Sequence, residues 1–154
     1  MKKTVRRALA MILALSALVL CFASCGASVT KLNVTVAIYG LDKDVETIWL
    51  GRHMQVEEGK TADDAVAQLK EMVSTLTYQK DTSGMYTSFK NGSDTLKIPQ
   101  SKTIGDVNQY YHLGWRLNGE VQSQIDNPKK MSDHVLVEGD TIEIFIQMDE
   151  LKAN

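Results

Sequence analysis

Cysteine is almost absent from this sequence, and the place where it does occur is informative. Of 154 residues only Cys21 and Cys25 are cysteines, so from Gly26 onward the chain has no disulfide and no thiol. The roughly 120 residues that follow must be stabilised by one hydrophobic core, and they are too few for two domains. The signatures of several chemistries are absent as well. No Gly-x-Ser-x-Gly, His-Glu-x-x-His, phosphate loop or Cys–His pair occurs, which points away from an enzyme. His53, His112 and His134 stand far apart, without the spacing of a metal-ligand pair, and read as solvated surface residues. Asp42, Asp44 and Glu46 alternate as in a calcium loop. They lack its glycine and its distal bidentate acid, so a solvated turn is expected there. Internal repeats and low-complexity tracts are missing too.

What is present at the amino end is an address. Lys2, Lys3, Arg6 and Arg7 precede an apolar run from Ala8 to Leu20 that only Ser16 interrupts. That run is short of the about 20 residues a spanning helix needs, and it suits the apolar region of a secretory signal. It ends in Phe22-Ala23-Ser24-Cys25-Gly26, which resembles the bacterial lipobox, with Phe22 where leucine is usual. The resemblance implies a lipoprotein signal peptide over residues 1–24, cut before Cys25. Cys25 then carries a diacylglyceryl lipid and palmitate, and residues 25–31 form a short linker. An uncleaved anchor helix, or ordinary secretion with cleavage near Ala23 or Ala27, are the other readings. The domain is expected outside the cytoplasmic membrane, lipid-anchored, on the cell surface or the periplasmic face.

Charge follows from that cut. The chain holds 17 basic and 19 acidic residues; four bases and no acid leave with the signal, so 13 remain against 19, a net charge of −6. An acidic surface excludes nucleic acid as a partner. It also leaves attachment to the membrane to the lipid rather than to a basic patch. The linker reaches about 20 Å at full extension, so the domain is held near the bilayer.

Periodicity then gives the elements. Val34, Val36 and Ile38 alternate with Thr35, Ala37 and Tyr39, predicting a strand over Asn33–Tyr39. A polar turn over Gly40–Asp44 leads to a second strand over Glu46–Glu57, with Ile48, Leu50, Met54 and Val56 inward. Thr61 is placed to cap a helix, with Asp63 and Asp64 in its first turn. Ala65, Val66, Leu69, Met72, Val73 and Leu76 form its apolar stripe. Tyr78–Gly84 reads as loop, Met85–Phe89 as a short strand, and Lys90–Asn108 as loop with one short strand. Asn118-Gly119 between strand-like residues predicts a tight hairpin. A polar connector covers Gln124–Asp133, and after the Glu138-Gly139-Asp140 turn a last strand spans Thr141–Met148. One helix across a mixed sheet satisfies this order. The fold class expected is α+β, β-grasp-like, with the first and last strands at the centre.

Several motifs, in order, resemble a bacterial domain-of-unknown-function family related to the C-terminal domain of transcobalamin and intrinsic factor. They are Val34-Thr35-Val36-Ala37-Ile38, Glu58-Gly59-Lys60-Thr61-Ala62-Asp63-Asp64-Ala65 and Gly84-Met85-Tyr86-Thr87-Ser88-Phe89, followed by Gly114-Trp115-Arg116-Leu117-Asn118-Gly119-Glu120 and Glu138-Gly139-Asp140-Thr141-Ile142. The resemblance covers nearly the whole domain, residues 32–150. It implies a β-grasp-like fold, a surface location and a face that closes over cobalamin, with Trp115 and Leu117 on the strand near the ligand. The animal relatives carry a large helical domain that cradles much of the ligand, and this chain has none.

Tyr110, Tyr111, His112 and Trp115 form the densest aromatic cluster, and Trp49 stands apart on the second strand. Each is either core or part of a ligand face; a patch joining Trp49 to Trp115 would favour the face. The function expected is a lipid-anchored binding module that requires no cofactor. Cobalamin or another corrinoid is its possible ligand, and a helical cobalamin-binding or transporter protein its possible partner. The alternative is a protein-interaction or surface-assembly module without a small-molecule ligand.

Overall fold

A computed structural model describes residues 29–124 and 127–152. The segment expected to be a signal peptide, and Cys25, lie outside the described residues. Among those described, no helix is long and apolar enough to cross a membrane. The fold is α+β. Among the described residues, nine strands and one α-helix follow in order: β1 (Lys31–Asp42), β2 (Val45–Glu57), α1 (Ala62–Met72), β3 (Leu76–Lys80), β4 (Tyr86–Asn91), β5 (Asp94–Thr95), β6 (Lys102–Ile104), β7 (Val107–Leu117), β8 (Glu120–Val121) and β9 (Thr141–Lys152). A short 3-10 turn, Met131–Asp133, precedes the last strand.

The main sheet runs β2-β1-β9-β7-β6, with β8 also on β7. Its first and last strands are neighbours, and they are parallel where they pair, Thr35–Ile38 against Thr141–Ile144. Val34, Val36 and Ile38 of β1 share the inner face with Ile142, Ile144 and Ile146 of β9, and all are buried. Leu113 and Trp115 of β7 pair with Ile146 and Ile144 and continue that face.

Helix α1 covers part of it. The Thr61 hydroxyl accepts from the Asp64 amide, and the Asp64 carboxylate accepts from the Thr61 amide, so two free donors of the first turn are satisfied at once. The Thr61 amide holds the Asp64 carboxyl below the ordinary carboxylate value. Ala62, Ala65, Val66 and Leu69 are buried against the sheet. Met72 is not; the helix ends there, and its side chain is exposed. Leu76 is buried, but as the first residue of β3 rather than as the next turn of the helical stripe.

A second sheet, β3-β4-β5, was not legible as such. The segment expected as loop from Tyr78 contains the end of β3, paired with β4 through Tyr78–Phe89. Tyr78, Tyr86 and Phe89 pack ring on ring, with centroids 5.0–5.9 Å apart. Asp63 of the helix fastens this sheet, accepting from the Tyr86 hydroxyl at 2.8 Å and from Lys80 Nζ. Burial pushes the Tyr86 phenol far above its ordinary value, and its bond to Asp63 adds to that.

Several boundaries differ from expectation: the last strand runs on from Met148 to Lys152, and the stretch expected as loop with one short strand over Lys90–Asn108 holds β5, β6 and the start of β7. The first turn contracts to Lys43 and Asp44, both at positive φ, so β1 runs on to Asp42. Ile48, expected inward, is 65 % exposed. Ile38 pairs with Leu50 and Tyr39 with Ile48, which leaves Trp49 as an extra residue in the ladder. That bulge reverses the side on which the residues before it point. Leu50, Met54 and Val56 keep their inward places. Asn118 and Gly119, both at positive φ, make the expected tight hairpin between β7 and β8.

Candidate functional site

The site is built around the middle of β7. On one side β7 pairs with β9 along its whole length. On the other, β6 pairs only as far as Gln109, and β8 begins only at Arg116. A hollow of about 560 Å³ opens at this interval, wrapping the strand so that Tyr111 reaches it from the inner face and His112 from the outer. Met85, Tyr86 and Thr87 form the opposite wall, Ile98 and Pro128 close its apolar parts, and Asp81, Ser123 and Asp149 bring polar groups. Its size lies in the range of about 300–1,000 Å³ typical of small-molecule sites, and its lining mixes apolar walls with a few placed polar groups.

Two of those polar groups, Asp149 and Ser123, belong to one chain of hydrogen bonds that starts at His112 and passes through Gln147. His112 Nε2 lies 2.5 Å from Asp149 Oδ2. Gln147 Nε2 donates to the other oxygen of Asp149 at 3.0 Å, and the Ser123 hydroxyl donates to Gln147 Oε1 at 2.7 Å. Ser123 in turn accepts from the Trp115 amide at 3.0 Å. Serine, histidine and aspartate therefore share a hollow, but a glutamine separates the hydroxyl from the imidazole. Ser123 Oγ bonds Gln147 and the Trp115 backbone rather than the imidazole, so the groups form a fixed row of donors and acceptors along the hollow and not a nucleophile–base pair. On the far wall, Asp81 accepts from the Ser83 hydroxyl at 2.6 Å and from the Ser83 and Met85 amides. These bonds, the hydroxyl's first, hold its carboxyl below the usual range and fix the β3–β4 loop at the rim.

Of the residues singled out in the sequence, Tyr111 and His112 line the hollow together. Trp115 belongs to the core: it is 2 % exposed, and its Nε1 donates to the Lys129 carbonyl at 2.8 Å. A flat platform on that ring is ruled out by burial. Leu117 is partly buried on the same inner face, paired with Ile142. Tyr110 points to the outer face beside Asp149 and is exposed. Trp49 is half-buried at the bulge, where its Nε1 donates to Asp94 at 2.8 Å. Because Trp115 is buried, no exposed patch joins the two tryptophans.

The histidines fall into three separate networks: His53 with Thr35, His112 with Asp149, and His134 with Asp140. Asp42 ends β1 and Asp44 lies in the first hairpin turn, while Glu46 accepts from Arg116, which also bonds Glu143 at 2.9 Å. That guanidinium lies over the rings of Phe145 and Tyr39 and ties β2, β7 and β9 across the outer face. Gln147, Ser123 and Asp149 were missed in the sequence reading. They lie in separate segments, and nothing local marks them as partners. No known family profile matches the chain, and no curated protein matches it.

Proposed function

We propose that this protein is a lipid-anchored, non-enzymatic binding module displayed outside the cytoplasmic membrane, and that the hollow beside His112 receives its ligand. The observation that carries this is the combination there of apolar walls with a hydrogen-bonded His112–Asp149–Gln147–Ser123 chain. The lipobox-like Phe22–Gly26 supports the anchor, and Cys25 is its attachment point. The parallel pairing of β1 with β9 at the sheet centre supports a β-grasp-like reading of the α+β fold.

The order of motifs resembling the transcobalamin-related family makes a corrinoid the ligand class we put forward. A corrinoid with its nucleotide is larger than the hollow, so this domain covers one side of it. A helical or transporter partner at the membrane supplies the other side.

Isothermal calorimetry of the detergent-solubilised chain with cobalamin and with cobinamide tests the ligand. Binding is expected, weakened about tenfold or more, or ~1.4 kcal/mol, by His112→Ala and by Tyr111→Ala. No heat at high micromolar ligand overturns the corrinoid reading. Labelling with an alkyne fatty acid tests the anchor separately, since Cys25→Ala must abolish incorporation and release the protein from the membrane fraction.

A further inference from the structure

The centre of the main sheet is forked. Strands β1 and β9 are bonded only over Thr35–Ile38 and Thr141–Ile144. Both continue past that point, β1 to Asp42 and β9 to Lys152, yet among the described residues no ladder joins them there. The parting coincides with the register shift between Ile38 and Tyr39, opposite Trp49. A bulge bends a strand and raises its twist, so the β1–β2 hairpin turns away while the β7–β9 ribbon runs on. With Ile38 level with Ile144, Asp42 falls level with Met148. The ribbon then extends four residues further, about 13 Å.

Alternation says which backbone groups the fork exposes. The Thr141 carbonyl accepts from Asn118 on the β7 side, whereas the Asp140 carbonyl accepts from Thr35 on the β1 side. Even-numbered residues of β9 thus turn amide and carbonyl toward the fork. Met148, Glu150 and Lys152 are such residues, and all three are exposed. The opposite edge of the sheet is blunted: on β2 the Gly51 carbonyl accepts from Arg52 and the Gln55 carbonyl from Gln68 of the helix. Along Met148–Lys152 no side chain among the described residues bonds the backbone in that way.

Charge tells what kind of strand fits. The strands and turn that make the fork carry Asp42, Asp44, Glu46, Glu143 and Glu150 against Lys43, Arg116 and Lys152, and Arg116 is already paired with Glu46 and Glu143, so the balance is acidic. Met148, 44 % exposed, offers an apolar contact between them. A second copy pairing β9 on β9 antiparallel about residue 150 would set Glu150 against its own copy, which disfavours it.

We infer that the fork receives an extended, basic segment of a partner protein, which adds as a strand to the edge of β9 from Met148 to Lys152. Main-chain bonds hold the segment, and its lysine or arginine side chains meet the bordering acids. This surface is separate from the hollow, so its failure leaves the ligand reading standing.

The test uses the full chain in non-ionic detergent and a fluorescein-labelled heptapeptide of alternating lysine and valine, followed by anisotropy. Binding is expected, at least tenfold tighter than for the glutamate–valine peptide and for a version with alternate backbone nitrogens methylated. Met148→Pro removes only an amide that faces the fork, leaves the β7–β9 ladder intact, and should weaken binding at least tenfold with an unchanged circular dichroism spectrum. Should that variant misfold, Glu150→Pro and the methylated peptide decide. Equal affinity for the methylated peptide, unchanged affinity of a folded proline variant, or no binding at millimolar peptide overturns the proposal. So does a dimer in sedimentation that Met148→Pro dissolves, which assigns the edge to a second copy.

Discussion

Trp115 Nε1 donates to the carbonyl of Lys129 at 2.8 Å, so the largest side chain of β7 also holds down the connector that follows β8. The Lys129 amide returns a bond to the Gln122 carbonyl, closing this connector over the strand. Truncation of a buried ring costs about 3–5 kcal/mol, and Trp115→Ala should show that loss in urea unfolding. Trp115→Phe keeps the packing and gives up one hydrogen bond, about 1 kcal/mol. If Trp115→Phe is as damaging as Trp115→Ala, the ring's packing is not what stabilises this region.

The bulge at Trp49 makes a sharp prediction for two residues only two positions apart. Ile48→Thr, on the exposed side, should change stability by no more than about 0.5 kcal/mol. Leu50→Ala, on the core side, should cost about 2–5 kcal/mol. Thermal melts of the two variants check the register, because an unbulged strand would make Ile48 the costly one.

Asp140 is 2 % exposed and gathers His134, the Val137 amide and Asn118 at the entrance to β9. Burial alone pushes its carboxyl up, but the bonds from His134, Val137 and Asn118 outweigh that and hold it below its ordinary value. The folded state therefore prefers the ionised form. Its stabilisation is complete above the unfolded value of about 3.9 and drains away as pH falls through the lower, folded one. Asp140→Asn should cost about 1.5–3 kcal/mol at neutral pH. It should also flatten the loss of stability below about pH 4, measured as urea midpoints against pH. An acid limb as steep as that of the unmodified protein would assign the acid sensitivity elsewhere.

Gly114 sits where the hollow's hydrogen-bond chain crosses β7. A methyl group there would stand 2.5 Å from the Ser123 hydroxyl and 3.1 Å from Gln147 Cβ. Gly114→Ala should cost about 1–3 kcal/mol and part Ser123 from Gln147. Ligand affinity should fall more in this variant than in Ile48→Thr, which lies outside the hollow. Calorimetry beside a melting curve separates the two effects.

The sequence made legible those elements whose signals are local. The alternation of Val34, Val36 and Ile38, the Thr61 cap with Asp64, and Asn118-Gly119 each act within a few residues, and each is where it was expected. What failed to show were features decided across the chain. An inserted residue at Trp49 leaves no mark in composition, yet it turns Ile48 outward. Strand β3 carries Thr77, Gln79 and Lys80 and gains its identity only from pairing with β4. Periodicity extended the apolar stripe to Met72 and Met148, where the covering element had already ended. In the hollow, Tyr111 and His112 were visible as a cluster. The residues that orient them, 24 and 37 positions away from their partners, were not.

The adjacency of β1 and β9 has a consequence for when this protein acquires its shape. The middle of the sheet is assembled from strands about a hundred residues apart in the chain, and such distant pairings are slow to form. Until residue 152 has left the ribosome, β1 lacks its inner neighbour and β7 lacks its partner. The half-made chain can form its hairpin and its helix but no closed core. It stays open and threadable for as long as it is being synthesised.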